Sequence, residues 1–217
     1  MAARTWNTIY LNKTVLEHSR EMVAKVYEKF PLVLVAVSSG KDSTVCLELA
    51  IEAARKQNKL PVQVVFLDEE FEYQAVDEWM LKTAARPEVK LWWFQIPFTR
   101  TNNTSKEDTY FNVWGDGDSF RQKHPMSIKD IGIDTRKERF YDLFPIVYNY
   151  IGQQLGKPGN IAVLIGLTCQ ESPLRSINLK RNSVIDQIPS ANSSSRYKNI
   201  YHVYPIYHWV VQDVWKA

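Results

Sequence analysis

The 217-residue sequence predicts a single α/β domain, a doubly wound parallel sheet of five strands with helices on both faces and a long lid-like insertion. Three observations predict it. Short apolar runs rich in β-branched residues recur, Leu32 to Val37, Val62 to Leu67 and Ile161 to Ile165, as suits strands buried on both faces. Amphipathic stretches of helical period separate the first runs, whose starts lie about thirty residues apart, the length of a βαβ unit. A turn with a glycine, Ser38 to Ser43, joins the first run to a helix.

The elements follow in order. Thr14 to Phe30 reads as a helix, with Val15, Met22, Val26 and Phe30 at helical spacing, Leu16 and Val23 widening the stripe, and Pro31 stopping it. After the first strand and its turn, Thr44 to Gln57 is a helix with Val45, Leu49 and Ala53 inward. The second strand ends in Asp68-Glu69-Glu70, before a helix from about Phe71 to Ala85. Lys90 to Ile96 is the third strand, closed by Pro97. Residues 98–135 read as an irregular insertion rich in Asn, Thr, Asp, Gly and Lys, and a loop that long is rarely idle. Arg136 to Leu155 is a helix with Pro145 as a candidate kink. Ile161 to Ile165, ending in Gly166, is the fourth strand, Ser190 to Asn199 is polar and mobile, and Tyr201 to Ile206 is the fifth strand. Val211 to Trp215 begins a helix that Ala217 cuts short, so the domain is expected to continue beyond it.

Composition narrows the function classes. Hydrophobic residues make up 45% and charged residues 24%, which excludes a disordered or collagen-like chain. No apolar run reaches the roughly 18 residues that a membrane span needs. The net charge of +3 is too small to argue nucleic-acid binding. With two distant cysteines, Cys46 and Cys169, and no CxxC, a four-cysteine metal or iron–sulfur site within this chain is excluded, and a reducing cytoplasm is the expected setting. Cys46 is expected in the core; Cys169, just past a strand that ends at the site, is read as a packed loop cysteine, with a reactive thiol as the alternative. The four histidines show no metal spacing, Asp116-Gly117-Asp118 reads as a turn, and Trp79, Trp92 and Trp93 read as core. Tyr110, Phe111 and Trp114 are expected to pin the insertion to the domain or to stack on a base.

The turn Ser38-Ser39-Gly40-Lys41-Asp42-Ser43 carries the chemistry. Gly40 permits a tight turn and close backbone approach. The first N–H groups of the helix point outward with the positive end of its dipole behind them. Ser38 and Ser43 add hydroxyls, Lys41 adds a cation, and the whole suits a di- or triphosphate. Asp42 is foreign to a pure anion site and fits structure or a metal. The spacing is neither a Walker loop, which needs an earlier glycine, nor the dinucleotide fingerprint, which needs three.

Four motifs carry a resemblance. Ser38, Gly40, Asp42 and Ser43 match the Ser-Gly-Gly-x-Asp-Ser signature of the pyrophosphate-loop family, with Ser39 at the first Gly. Asp68 resembles the strand-end Asp of phosphoadenylylsulfate (PAPS) reductases and sulfurylase small subunits, whose usual Thr-Gly neighbours are here Glu69-Glu70. Gly166, Glu171, Ser172 and Arg175 match Gly-x-Arg-x-x-Glu-Ser followed by Arg, with Thr168 in place of the first Arg. Tyr204-Pro205-Ile206-Tyr207-His208-Trp209 with Asp213-Val214-Trp215 resembles the closing segment. The chain is similar to a PAPS reductase-like branch of phages and mobile elements.

The resemblance implies a Rossmann-like fold whose nucleotide lies across the carboxyl ends of the strands. It implies ATP or PAPS as ligand, gripped by Ser38, Ser39, Gly40, Lys41, Ser43, Gly166 and Arg175, with Mg²⁺ near Asp42 and Asp68 and with Lys41, Asp42 and Asp68 as catalytic candidates. The lesser alternative for Asp68 is a cap on the helix that follows, a role that can coexist with the first. Arg121, Lys123 and Arg136 either close over the ligand or, the reading preferred for any one of them, form a solvated basic loop. The implied chemistry is cleavage or transfer at the α-phosphate or sulfate. The redox motif Glu-Cys-Gly-Leu-His of true reductases is absent, which disfavours thiol-linked reduction by these residues. A nucleotide sensor working with a DNA-associated, ParB-like partner is the alternative, and a tRNA-adenylating enzyme is a third reading that the charge does not encourage.

Overall fold

Thr14 opens the first helix by accepting from the Glu17 N–H at 3.2 Å, while the Glu17 carboxylate accepts from the Thr14 N–H at 2.8 Å. This reciprocal cap satisfies two amides that the helix leaves unpaired. A computed structural model describes residues 12–115, 120–168, 170, 190–191 and 197–217. The elements are α1 (Val15–Lys29), β1 (Leu32–Ala36), α2 (Lys41–Lys56), β2 (Val62–Leu67), α3 (Gln74–Ala84) and β3 (Val89–Phe94). An antiparallel hairpin, β4 (Phe98–Thr101) and β5 (Tyr110–Val113), follows. Then come α4 (Phe140–Gln154), β6 (Ile161–Ile165), β7 (Ser190–Ala191), β8 (Ile200–Val203) and α5 (Val211–Lys216).

The sheet order is β3-β2-β1-β6-β8-β7. The first five strands are parallel, as expected, and β7 adds an antiparallel edge pair that the sequence does not announce. Alternation within the apolar runs serves two cores. Val33, Val35, Val62, Val64, Phe66, Ala162 and Leu164 face α1, α2 and α3. Leu32, Leu34, Val65, Leu67, Ile161 and Val163 face α4 and the hairpin. Both faces of these strands thus meet a packed layer, which explains apolar runs broken only by Gln63, whose side-chain oxygen accepts from the Trp92 indole at 2.9 Å. Cys46 is fully buried, and burial pushes its thiol far up, so it is a core residue as expected.

Two expectations need correction. Helix α2 begins at Lys41, three residues earlier than its apolar stripe indicates, so Lys41, Asp42 and Ser43 form its first turn. The insertion is not wholly irregular: Phe98, Val113 and Trp114 are buried in the second core, and the hairpin covers that face of the sheet. The closing segment is also core, with Ile206, Trp209 and Val214 buried and the Trp209 indole donating to the Ser19 hydroxyl at 2.8 Å. Among the described residues no helix is long and apolar enough to cross a membrane.

His202 on β8 is mostly buried, and that burial lowers its pKa to about 4. An unfolded histidine titrates near 6.5. The unfolded chain therefore binds more protons between these values. The stability contributed by the neutral imidazole is present above pH 6.5 and is lost as pH falls toward 4. Linkage puts the loss at roughly 2 kcal/mol between pH 7 and pH 4.5. Urea unfolding at the two pH values should show His202→Gln losing that much less than the native chain; equal losses would exclude the buried neutral ring.

Candidate functional site

Chain direction across the sheet reverses between β1 and β6, with β2 and β3 on one side of β1 and β8 beyond β6. Connections leaving these two neighbours in opposite directions open a crevice at their carboxyl ends, the usual ligand position in such sheets. The 38–43 turn leaves β1 there and Gly166 leaves β6 there.

The turn is held by its own hydroxyls. Ser43 is buried, donates to the Gly40 carbonyl at 2.9 Å and accepts from the Ser38 N–H at 3.2 Å. The Thr44 N–H and hydroxyl both reach the Gly40 carbonyl at 3.0 Å. Gly40 is the N-cap of α2 and no side chain caps it, so the first-turn N–H groups have no intrahelical partner. Lys41 pairs with Asp42 at 2.7 Å, while the other Asp42 carboxylate oxygen, Oδ1, is buried with no hydrogen-bond partner.

The tight turn is made at a different residue from the one expected. Gly40 is extended, at φ −71°, and a Cβ there would meet only the Ser38 hydroxyl oxygen, at 3.4 Å. Ser39 takes the left-handed conformation, at φ 60°. That conformation costs a non-glycine residue about 1 kcal/mol, and a β-branched residue more. Ser39→Gly should therefore stay within about 1 kcal/mol of the native stability, because the relief of strain offsets the looser unfolded chain. Ser39→Val should lose at least about 2 kcal/mol in the same urea titration.

Gly166 performs the close approach. A Cβ on it would lie 2.5 Å from the Asp42 carbonyl carbon, 2.6 Å from that carbonyl's oxygen and 2.6 Å from the Ser43 nitrogen. The end of β6 thus rests directly on the first turn of α2. Residues more than a hundred positions apart, read separately from the sequence, meet here.

At the end of β2 Asp68 is fully buried. Its Oδ2 accepts from the Trp93 indole at 2.9 Å, from the Gln95 amide at 2.8 Å and from Arg121, and its Oδ1 accepts from the Glu70 N–H at 2.8 Å. Asp68 does not cap α3, whose N-cap is Tyr73. Its neighbour Glu70 is also buried and left-handed, at φ 69°. The Glu70 carboxylate accepts from the Trp114 N–H at 2.6 Å and the Phe120 N–H at 2.8 Å. Its carbonyl accepts from Arg121 Nε at 2.9 Å, and the Trp114 indole donates to the Asp68 carbonyl at 2.8 Å. These bonds fasten the insertion onto the ends of β2 and β3. Arg121, read as part of a solvated basic loop or as a ligand clamp, is neither: it ties Asp68 to Asp77. Lys123 lies over the Trp114 ring, 5.7 Å from its centroid, and Arg136 pairs with Asp134 at 3.3 Å.

Burial, then the charges of Asp68 and Glu69, hold the Glu72 carboxyl above its usual range. Burial likewise raises Glu69, opposed by its ion pair with Arg100 at 2.6 Å. Sequence reasoning missed Glu70, Trp93 and Gln95 as supports of the site. One signal was present: Glu70, like Ser39, stands where the resembling families carry glycine, and both keep a glycine-type backbone. Thr168, in the position of the usual Arg, is buried. Arg175, Cys169, Glu171, Ser172 and residues 116–118 lie outside the described residues. Among the described residues no group of three or more His, Cys, Asp or Glu side chains could hold a metal ion.

Comparison with known proteins adds the following. The chain is 26% identical over 218 residues to the uncharacterized protein YbdN of Escherichia coli (strain K12), covering 95% of this chain and 52% of that protein. It thus spans about half the length of the curated relative it matches. In fold it is similar to Candida glabrata FMN adenylyltransferase, with a TM-score of 0.53 at 12% identity, over 93% of this chain and 52% of that one. The same enzyme in complex with ATP gives a TM-score of 0.52, with the same identity and coverage. Residues 32–217, from β1 through α5, match the model of the phosphoadenosine phosphosulfate reductase domain, and the chain belongs to that family.

Proposed function

We propose that this chain is an adenine-nucleotide-binding enzyme that takes ATP or PAPS and cleaves or transfers at the α-phosphate or the sulfate. The observation that carries this reading is the uncapped first turn of α2 at the sheet's reversal point, flanked by Lys41 and locked by Gly166. Helix N–H groups and a lysine bind phosphate oxygens. In this reading Ser38, Ser39, Gly40, Lys41 and Ser43 hold the anionic end of the nucleotide, and Arg175 supplies a further cation. The role proposed for Gly166 is to seat the turn. Mg²⁺, where used, is assigned to Asp42, whose Oδ1 is buried without a hydrogen-bond partner, and the ion would neutralise charge on the departing phosphate. Asp68 acts by positioning the walls of the crevice.

Membership in the family and likeness in fold to an adenylyltransferase solved with ATP support the nucleotide class. Lys41→Ala should weaken ATP or PAPS binding at least about tenfold, since a charge-assisted phosphate contact contributes about 1.5–3 kcal/mol. Thermal shift with each nucleotide and Mg²⁺ reads the binding; release of pyrophosphate, or of adenosine bisphosphate, reads the chemistry. Absence of response to both nucleotides would sink the reading.

A second reading is a nucleotide sensor acting with a DNA-associated, ParB-like partner. It is favoured by one observation: Asp68 and Arg121, which a catalytic role would leave for the ligand, are spent on each other and on the protein. Stabilisation by nucleotide without turnover, with and without candidate acceptors, would choose it.

A further inference from the structure

A cavity of about 400 Å³ opens at the opposite end of the sheet, where β1 and β2 begin. Its walls come from the end of α1, the α2–β2 turn and the turn after α4. Two lysines, Lys59 and Lys157, line it, and no carboxylate does. Such an arrangement is unusual on a surface where acids and bases otherwise interleave; on the exposed face of α2, for example, Glu52 pairs with both Arg20 and Lys56.

The Lys59 ammonium is anchored by donating to the Tyr27 carbonyl. That carbonyl belongs to the last turn of α1 and has no partner within the helix. An ammonium has three protons, so two remain to be shared. The Lys157 N–H donates to the Gly152 carbonyl at 2.8 Å, while its ammonium has no hydrogen-bond or ion-pair partner among the described residues. Asn58, left-handed at φ 56°, turns the chain at the rim. The Phe30 ring and the Pro61 ring supply apolar wall between these polar groups. The volume falls within the range of small-molecule sites, roughly 300–1,000 Å³. Like charges with no acid between them favour an anion, and the apolar wall favours one with a hydrophobic body.

We propose that this cavity is a second ligand site, separate from the nucleotide crevice, for a small organic anion: a compact apolar body bearing a phosphate or carboxylate head that the ammoniums of Lys59 and Lys157 bind.

The test is an amide chemical-shift titration of the full chain with phenyl phosphate and, separately, with benzoate, with benzyl alcohol as the neutral probe. Saturable shifts at Asn58, Lys59 and Lys157 with at least one anion, and none with the alcohol, are the expected result. The better-binding anion names the head group. Lys59→Gln with Lys157→Glu should weaken that binding at least tenfold. Lys157→Glu alone serves if the double variant unfolds earlier in urea, and should weaken it at least threefold. Shifts confined to residues 39–43, no saturable shift with either anion, or a folded variant that titrates like the native chain would each overturn the proposal. Failure here leaves the Lys41 test untouched, because that test reads a different end of the sheet.

Discussion

Gly166→Ala is expected to lower stability by about 1–3 kcal/mol and to weaken nucleotide binding at least tenfold. The added methyl carbon would sit 2.5–2.6 Å from three backbone atoms of Asp42 and Ser43. Ordinary contacts need roughly 1 Å more, and neither neighbour is a side chain that can swing away. Either β6 or the first turn of α2 must retreat, with the strain typical of an overpacked core. The turn is also closed by the Thr44 and Ser43 bonds to the Gly40 carbonyl, so it moves as a unit. A shift of that size in a phosphate cradle carries a large cost in binding and rate, of order a hundredfold where chemistry depends on it. Gly40→Ala is the informative companion. Its Cβ meets only one hydroxyl oxygen, at 3.4 Å, so folding should stay within about 1 kcal/mol of native and any loss should appear in nucleotide binding alone. Urea unfolding and thermal shift with ATP and PAPS measure both. A Gly166→Ala protein with native stability and undiminished nucleotide stabilisation would contradict the packing described here.

Removing the Glu70 carboxylate is expected to loosen the insertion. That side chain takes the Trp114 and Phe120 N–H groups, one on each oxygen, in a buried setting. Glu70→Ala strands both donors and keeps the left-handed strain, at φ 69°, so a loss of about 2–5 kcal/mol is expected. Glu70→Gly strands the same donors but removes the strain, and should recover about 1 kcal/mol of that loss. Glu70→Gln can satisfy only one of the two N–H groups, since its amide nitrogen presents a donor to the other. Hydrogen exchange locates the damage: amides from Tyr110 to His124 should exchange faster in all three variants, while β1 and β6 stay protected. Unchanged exchange in that segment would show that the clamp is not what holds it. The order of the variants separates the carboxylate's bonds from the strain of its backbone.

The two positions with the greatest leverage differ in how far the sequence announces them. Gly166 follows an apolar run and belongs to a motif, so it could be selected as a site residue in advance. Its steric role could not, because the atoms it meets are contributed by Asp42 and Ser43. Glu70 follows Asp68 and looks like any exposed acid at a strand end. Its partners, Trp114 and Phe120, lie more than forty residues on, in a segment with no period to read. Arg121 shows the same limit from the other side: a basic residue in a long loop reads as a clamp for ligand, and the fold turns it toward Asp68 and Asp77.

The order of the helices and of the five parallel strands, the burial of Cys46 and the Ser38–Ser43 turn between the first strand and its helix were legible in the sequence. They were legible because burial on one or both faces imposes a period on the chain, and a strand-turn-helix junction exposes N–H groups wherever it occurs. Tertiary structure alone decided that Ser39, not Gly40, takes the strained turn, that Asp68 and Arg121 serve each other, and that the insertion is clamped rather than free. The last two depend on which backbone or side-chain atoms arrive from distant parts of the chain, and hydrogen-bond satisfaction in a buried setting is settled by that arrival, not by residue type. The first is local: the Ser43 and Thr44 bonds to the Gly40 carbonyl close the turn with Ser39 left-handed.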